Sequence, residues 1–133
     1  MIVADTNVLL YLHINGDQTP LALEVLQKDP RWISPPLWQS EFCNALAGLI
    51  RRGMQLEKAQ KIMSEALLLM AKRQVAPQSS RVLDLVSKST CTAYDCEFVA
   101  LAEQLNIPLV TADNLLLKSF PDIAISMSEF ITR

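Results

Sequence analysis

With 133 residues, half of them hydrophobic, the chain has enough apolar side chains for a buried core and too many for a disordered polymer. Twelve basic residues against fourteen acidic ones leave a formal charge of −2, which excludes a globally basic nucleic-acid binder. The one histidine, His13, excludes a histidine-rich metal site, and the three cysteines (Cys43, Cys91 and Cys96) fit no zinc spacing and read as reduced thiols.

Ile2–Ala4 is a short apolar strand running into Asp5, and Thr6 to His13 then reads as helix. A Ser-His-Asp or Cys-His mechanism would have to use His13, which has no nucleophile motif beside it; it reads as a helix-end residue. Thr19-Pro20 opens the next helix, a cap residue before proline at the first helical position, and that helix runs to about Lys28. Trp32–Ser34 is a short strand ahead of Pro35-Pro36. A long helix is predicted from Leu37 to about Arg52 with Gly53 as its stop, and a second from Leu56 to Lys72. Val75-Ala76 is a brief strand closed by Pro77, and Ser80 to Ser87 is helical. Thr92 or Ala93 opens a helix that ends near Asn106. Pro108–Thr111 is a buried strand, Asn114 to Ser119 a short helix, and Ile123–Ser126 the last strand before a helical turn from Ser128.

No linker, repeat or low-complexity segment interrupts this order, so residues 1–133 read as one domain. No apolar run reaches the ~18 uncharged residues of a membrane helix. The first residues read as a strand with neither a basic n-region nor a small-residue cleavage site, so a signal peptide is not expected and the cytoplasm is. Strands alternating with helices argue for a parallel sheet covered by helices on both faces. In such open sheets ligands bind beyond the C-terminal ends of the strands, which is where Asp5 and Asp113 stand. If their strands are neighbours, those ends lie ~5 Å apart.

Four acidic residues stand where a carboxylate is either costly or directed at a ligand: Asp5, Glu41, Asp95 and Asp113. Asp5 and Asp113 each suit a helix N-cap, yet VADTN and VTADN end two separate strands with the same chemistry. Glu41 lies a full turn inside its helix, flanks the stripe Trp38, Phe42, Ala45, Leu46 and Leu49, and shares a face with Asn44 and Gly48. Solvent is its alternative surrounding. Asp95 heads the spacing Asp95, Phe98, Val99, Ala102, Leu105, the buried stripe of its own helix. Its alternative is a capping box with Thr92 as N-cap, and a first-turn acid also suits the helix dipole, at ~0.3–1 kcal/mol. That is small beside the several kcal/mol effective cost of burying a charge. Glu97, roughly opposite, is expected in solvent. Four converging carboxylates would repel one another and partly protonate unless a hard cation such as Mg2+ or Mn2+ sat among them. Thr6, Asn7 and Thr111 are placed to orient the acids by hydrogen bonds, or to act as ordinary caps.

The charge distribution is uneven. Arg51, Arg52, Lys58, Lys61, Lys72 and Arg73 make up half of the basic residues, opposed in that stretch only by Glu57 and Glu65. They read either as solvated helix faces or as a phosphate-holding patch beside an acidic site, with Arg51, Arg52, Lys58 and Lys61 the candidate RNA contacts.

Asp-Thr-Asn after a first strand, Ser-Glu in a helix behind a proline-containing loop, Tyr-Asp opening a later helix and Thr-x-Asp ending a strand resemble, in this order, the PIN domain. Length and motif order are most similar to its VapC-type ribonuclease toxins, and the resemblance covers essentially the whole chain. It implies a three-layer α/β/α sandwich around a parallel, five-stranded sheet and Mg2+- or Mn2+-dependent cleavage of RNA. Asp5, Glu41, Asp95 and Asp113 would be the acidic catalytic and metal-site residues. A homodimer silenced by a VapB-like antitoxin is implied as well. Some members carry a further carboxylate beyond the last aspartate; Asn114-Leu115-Leu116-Leu117 supplies none, which favours one tightly held ion. The run Leu67-Leu68-Leu69-Met70 cannot all point inward on one helix; some of it packs either across a dimer or antitoxin contact or under a neighbouring helix. The competing readings are a non-catalytic RNA- or protein-binding module on the same fold, and a metal-dependent DNA nuclease or phosphatase.

Overall fold

The structure, a computed structural model, describes all residues from 1 to 133. Strand β1 (Ile2–Ala4) leads into helix α1 (Thr6–His13) and α2 (Thr19–Lys28), then β2 (Trp32–Ile33) into α3 (Leu37–Arg51) and α4 (Leu56–Met70). Helices α5 (Ser79–Ser87) and α6 (Ala93–Leu105) precede β3 (Leu109–Val110), α7 (Asn114–Ser119), β4 (Ala124–Ile125) and α8 (Met127–Thr132). The strands form one sheet in the order β2-β1-β3-β4, and every pairing is parallel. Successive strand side chains point to opposite faces. Ile2, Val3 and Ala4 are all 0% exposed, so both faces of β1 are covered and the sheet is the middle layer of an α/β/α arrangement.

The sheet has four strands where five were expected. The missing one is Val75-Ala76, and its neighbourhood explains the loss. A single parallel bridge, Ser34 to Gln74, extends the sheet beyond β2, closed by Ser34 N–H to Arg73 O at 3.1 Å and Val75 N–H to Ser34 O at 3.2 Å. Past that point one chain enters Pro35-Pro36 and the other reaches Pro77, and proline donates no ladder hydrogen bond.

Helix α3 buries Trp38, Phe42 and Leu46. Trp38 and Phe42 meet edge to face at 5.7 Å, and His13 packs on Phe42 at 5.9 Å while its Nδ1 lies 2.8 Å from Leu9 O. His13 is the helix-end residue its setting suggested. Helix α4 buries Ala59, Ile62, Ala66 and Met70, leaving Leu68 80% exposed. Two helices end in the same way. Gly53 takes φ 111°, with Gly53 N–H on Ile50 O and Met54 N–H on Leu49 O, both 3.0 Å. Asn106, φ 54°, repeats the pattern through Ile107 N–H to Ala102 O at 3.0 Å. Both are Schellman stops, which need a left-handed residue just past the helix. Helix α4 stops at Met70, two residues short of the expected Lys72: Ala71 turns out of the helix at ψ 128° and Lys72 is left-handed at φ 62°, a turn closed by Arg73 N–H on Met70 O at 3.0 Å.

Candidate active site

The pairing of β1 with β3 sets Asp5 beside Thr111, with Asp5 N–H donating to Val110 O at 3.1 Å. Asp5 is 6% exposed. One carboxylate oxygen accepts from Thr6 N–H at 2.7 Å; the other accepts from the Thr111 hydroxyl at 2.7 Å and from Asn7 Nδ2 at 3.3 Å. Asn7 Oδ1 accepts from Ala112 N–H at 3.2 Å, and the Thr111 hydroxyl accepts from Asp113 N–H at 3.0 Å. Of the three polar residues named from the sequence, Asn7 and Thr111 therefore lock the first strand end to the second. Thr6 does one thing more, donating its hydroxyl to Glu41 Oε1 at 2.7 Å and so tying α1 to α3.

Asp5, Glu41, Asp95 and Asp113 all line one open cleft of about 310 Å3, together with Thr6, Asn7 and, from α3, Asn44 and Ala45. Thr111 stands behind Asp5, fully buried. Asp113 also caps α7 with one oxygen, accepting from Leu115 and Leu116 N–H at 2.8 and 3.3 Å. Asp95 is in the first turn of α6, and its own N–H is capped by the Thr92 hydroxyl at 3.1 Å. Cap and cleft-lining roles thus coexist in the aspartates.

Burial pushes the Asp5 carboxyl up to about 6; the hydrogen bonds from Thr111 and Thr6 pull it partly back, and the charges of Glu41 and Asp95 push it further. Burial, with Asp95 and Glu97 nearby, also raises Glu41 against the Thr6 bond, and burial with Asp113 nearby raises Asp95. The molecule's ion pairs all lie elsewhere, on Asp29, Asp84 and Glu103. No basic side chain lines the cleft. Its negative charge is uncompensated by the protein, and the donors are all oxygen, which matches a hard divalent cation. No three acidic, histidine or cysteine side chains are gathered closely enough to ligate one ion together. Mg2+ does not require that, since it keeps several waters and takes one or two carboxylates directly. The residues present fit a hydrated ion in the cleft.

The sequence left Asn44 without a role, although it stands one helical turn beyond Glu41. Glu41, Asn44, Gly48 and Arg52 fall within about 60° of one line along α3, at ~100° per residue. The Arg52 guanidinium lies over Gly48, at ordinary contact distance (3.6 Å) from where a Cβ there would stand. Arg52 therefore folds back along the face that carries Glu41, whereas Arg51 points about 100° away from Arg52. Lys58 and Lys61 are exposed on α4.

A parallel α/β sheet with an uncompensated cleft of oxygen donors beyond its strand ends is the class of fold and site found here. The family follows from sequence: residues 2–120 match the model of the PIN domain, and the chain belongs to that family. PIN domains are in general nucleases that use divalent metal ions. No curated protein matches the chain. Among solved structures it is similar to PAE2754 from Pyrobaculum aerophilum, with TM-score 0.78 and 22% identity over 99% of this chain and 94% of that one. It is also similar to FitAcB from Neisseria gonorrhoeae, with TM-score 0.75 and 16% identity over 96% of this chain and 99% of that one. At these identities the likeness is one of fold. No helix is long and apolar enough to cross a membrane.

Proposed function

We propose that the chain is a Mg2+- or Mn2+-dependent endoribonuclease, the toxin of a toxin–antitoxin pair of the VapBC type. The observation that carries the reading is the convergence of Asp5, Glu41, Asp95 and Asp113 on one cleft without a basic neighbour. When bound, a divalent cation supplies activation of a water nucleophile and neutralises charge on the phosphodiester. Asp5, held on both oxygens, is the fixed anchor of the ion. Glu41 and Asp95, both raised above their ordinary range, are the groups that accept a proton near the reacting phosphate. Thr6 fixes the Glu41 rotamer, and Thr111 fixes Asp5. Arg52, on the Glu41 face of α3, holds the RNA backbone, with Arg51, Lys58 and Lys61 in support.

Ile50, Leu56, Leu67 and Leu68 are exposed along α3 and α4, and we assign them to a homodimer or antitoxin contact in the cytoplasm. The test is cleavage of single-stranded and structured RNA by purified protein in Mn2+ or Mg2+ against EDTA, with Asp95→Asn prepared identically. Cleavage needing both metal and Asp95 is the expected result. An Asp95→Asn protein as active as the parent sinks the assignment, and ion binding without turnover points to the binding-module reading. DNA cleaved in preference to RNA points to the DNA nuclease.

A further inference from the structure

Beside the acidic cleft lies a second depression, of about 420 Å3, walled by the start of α3, the 76–79 turn, α5 and the first turn of α6. We propose that this groove is a nucleobase site: it holds one unstacked base of the single strand whose backbone crosses the acids. The inference rests on the nuclease reading and extends it to substrate recognition.

Three observations carry it. The groove adjoins the cleft along two helices, α3 and α6. Leu37 lines the groove and Glu41 the cleft, one turn apart on the same face of α3, or ~6 Å along its axis. On α6, Tyr94 lines the groove and its neighbour Asp95 lines the cleft. Glu97, expected in solvent, is half-buried in the groove wall and close enough to Glu41 for its charge to act there. A phosphate at the acids thus places the adjoining base over the groove.

The chemistry also suits a base. Tyr94 is 62% exposed and is the one aromatic among the large exposed apolar side chains. An aromatic left in water at the edge of an anionic-ligand site is a stacking platform for single-stranded nucleic acid. Leu83, 65% exposed, faces the same depression, and Pro36 and Pro77 give it stiff rims. Glu97 and Ser79 add acceptors for the amino groups of a base. The volume is that of a ligand pocket, in the range of about 300–1,000 Å3.

The test uses short RNA oligonucleotides and the non-cleaving Asp113→Asn protein with Mg2+, in a fluorescence binding assay. Tyr94→Ala is expected to weaken binding by about 5- to 150-fold, and Tyr94→Phe to keep it. An abasic residue scanned through the oligonucleotide should cost the same at one position and cost nothing further there in the Tyr94→Ala protein. Loss in Tyr94→Ala with no such coupled position overturns the proposal. Unchanged RNA affinity with lost affinity for a protein partner also overturns it, assigning the groove to that partner. Cleavage by the parent protein, run in parallel, separates the two layers: active parent with an uncoupled Tyr94 removes the base site alone. A parent that neither cleaves nor binds RNA removes the nuclease reading, and the base site with it.

Discussion

Replacing Asp5 by asparagine should inactivate the protein and make its metal-free form more stable at alkaline pH. Asp5 has its carboxyl pushed from 3.8 to about 6 by burial, so above that pH the fold holds a charge that the unfolded chain hydrates freely. One pKa unit corresponds to ~1.4 kcal/mol, which makes the full penalty roughly 3 kcal/mol. The sign follows from proton counting. Between pH 3.8 and about 6 the folded state binds more protons than the unfolded one, so stability falls as pH rises through that window and levels off above it. Asparagine removes the charge and leaves one acceptor oxygen for the donors that Asp5 now satisfies on two. The lost hydrogen bond costs about 1–1.5 kcal/mol. The net expectation is a gain of about 1–2 kcal/mol at pH 8, measured by urea denaturation in EDTA. At pH 5 roughly half of the charge penalty is already gone, so the advantage should shrink to near zero. A difference between the two proteins that is the same at pH 5 and pH 8, or a variant less stable at pH 8, would refute the reasoning.

Thr111→Val keeps the shape but strips the hydroxyl that donates to Asp5 and accepts from Asp113 N–H; stability should fall by about 1–3 kcal/mol and Mn2+ affinity by about 10–100-fold, read by calorimetric titration. Arg52→Glu should weaken RNA binding and flatten its salt dependence by at least about one unit of slope, and Arg51→Glu should do less; equal effects would remove Arg52 from the α3 track. Gly53→Ala has open space for its methyl group but meets φ 111°, so the loss, about 1–2 kcal/mol by thermal melting, is a backbone effect alone, and an unchanged melting temperature would contradict it.

The acids were legible because two of them end apolar strands, where chain order alone fixes their position, and a third heads a buried helical stripe. Gly53 was legible as a stop because only a left-handed residue completes that end. The fifth strand was misread because Val75-Ala76 has strand-like side chains, while the obstacle, proline on both facing segments, appears only once Ser34 and Gln74 are known to be partners. In the sequence Asn44 only shares the Glu41 face and Tyr94 is only part of the Tyr-Asp motif, with no role legible for either side chain. An exposed amide and an exposed ring each satisfy the periodicity of their helices, and their setting comes from neighbours on other elements of the chain. Glu97 was sent to solvent by its angle from Asp95, since nothing in the sequence shows that the 76–79 turn comes to lie beside it.

Of the four strands of the sheet, the one that precedes the others in chain order is a central one. Strand β1 lies between β2 and β3, and the bond from Thr111 to Asp5 joins residues 106 apart in sequence. At translation speeds of about 5–20 residues per second, Asp5 waits roughly 5–20 s on the ribosome for that partner. A nascent chain therefore carries an unfinished cleft throughout that interval. Chain order delays the appearance of the site until Thr111 and Asp113 have been made, so the acids of the cleft come together late although the first of them is made early.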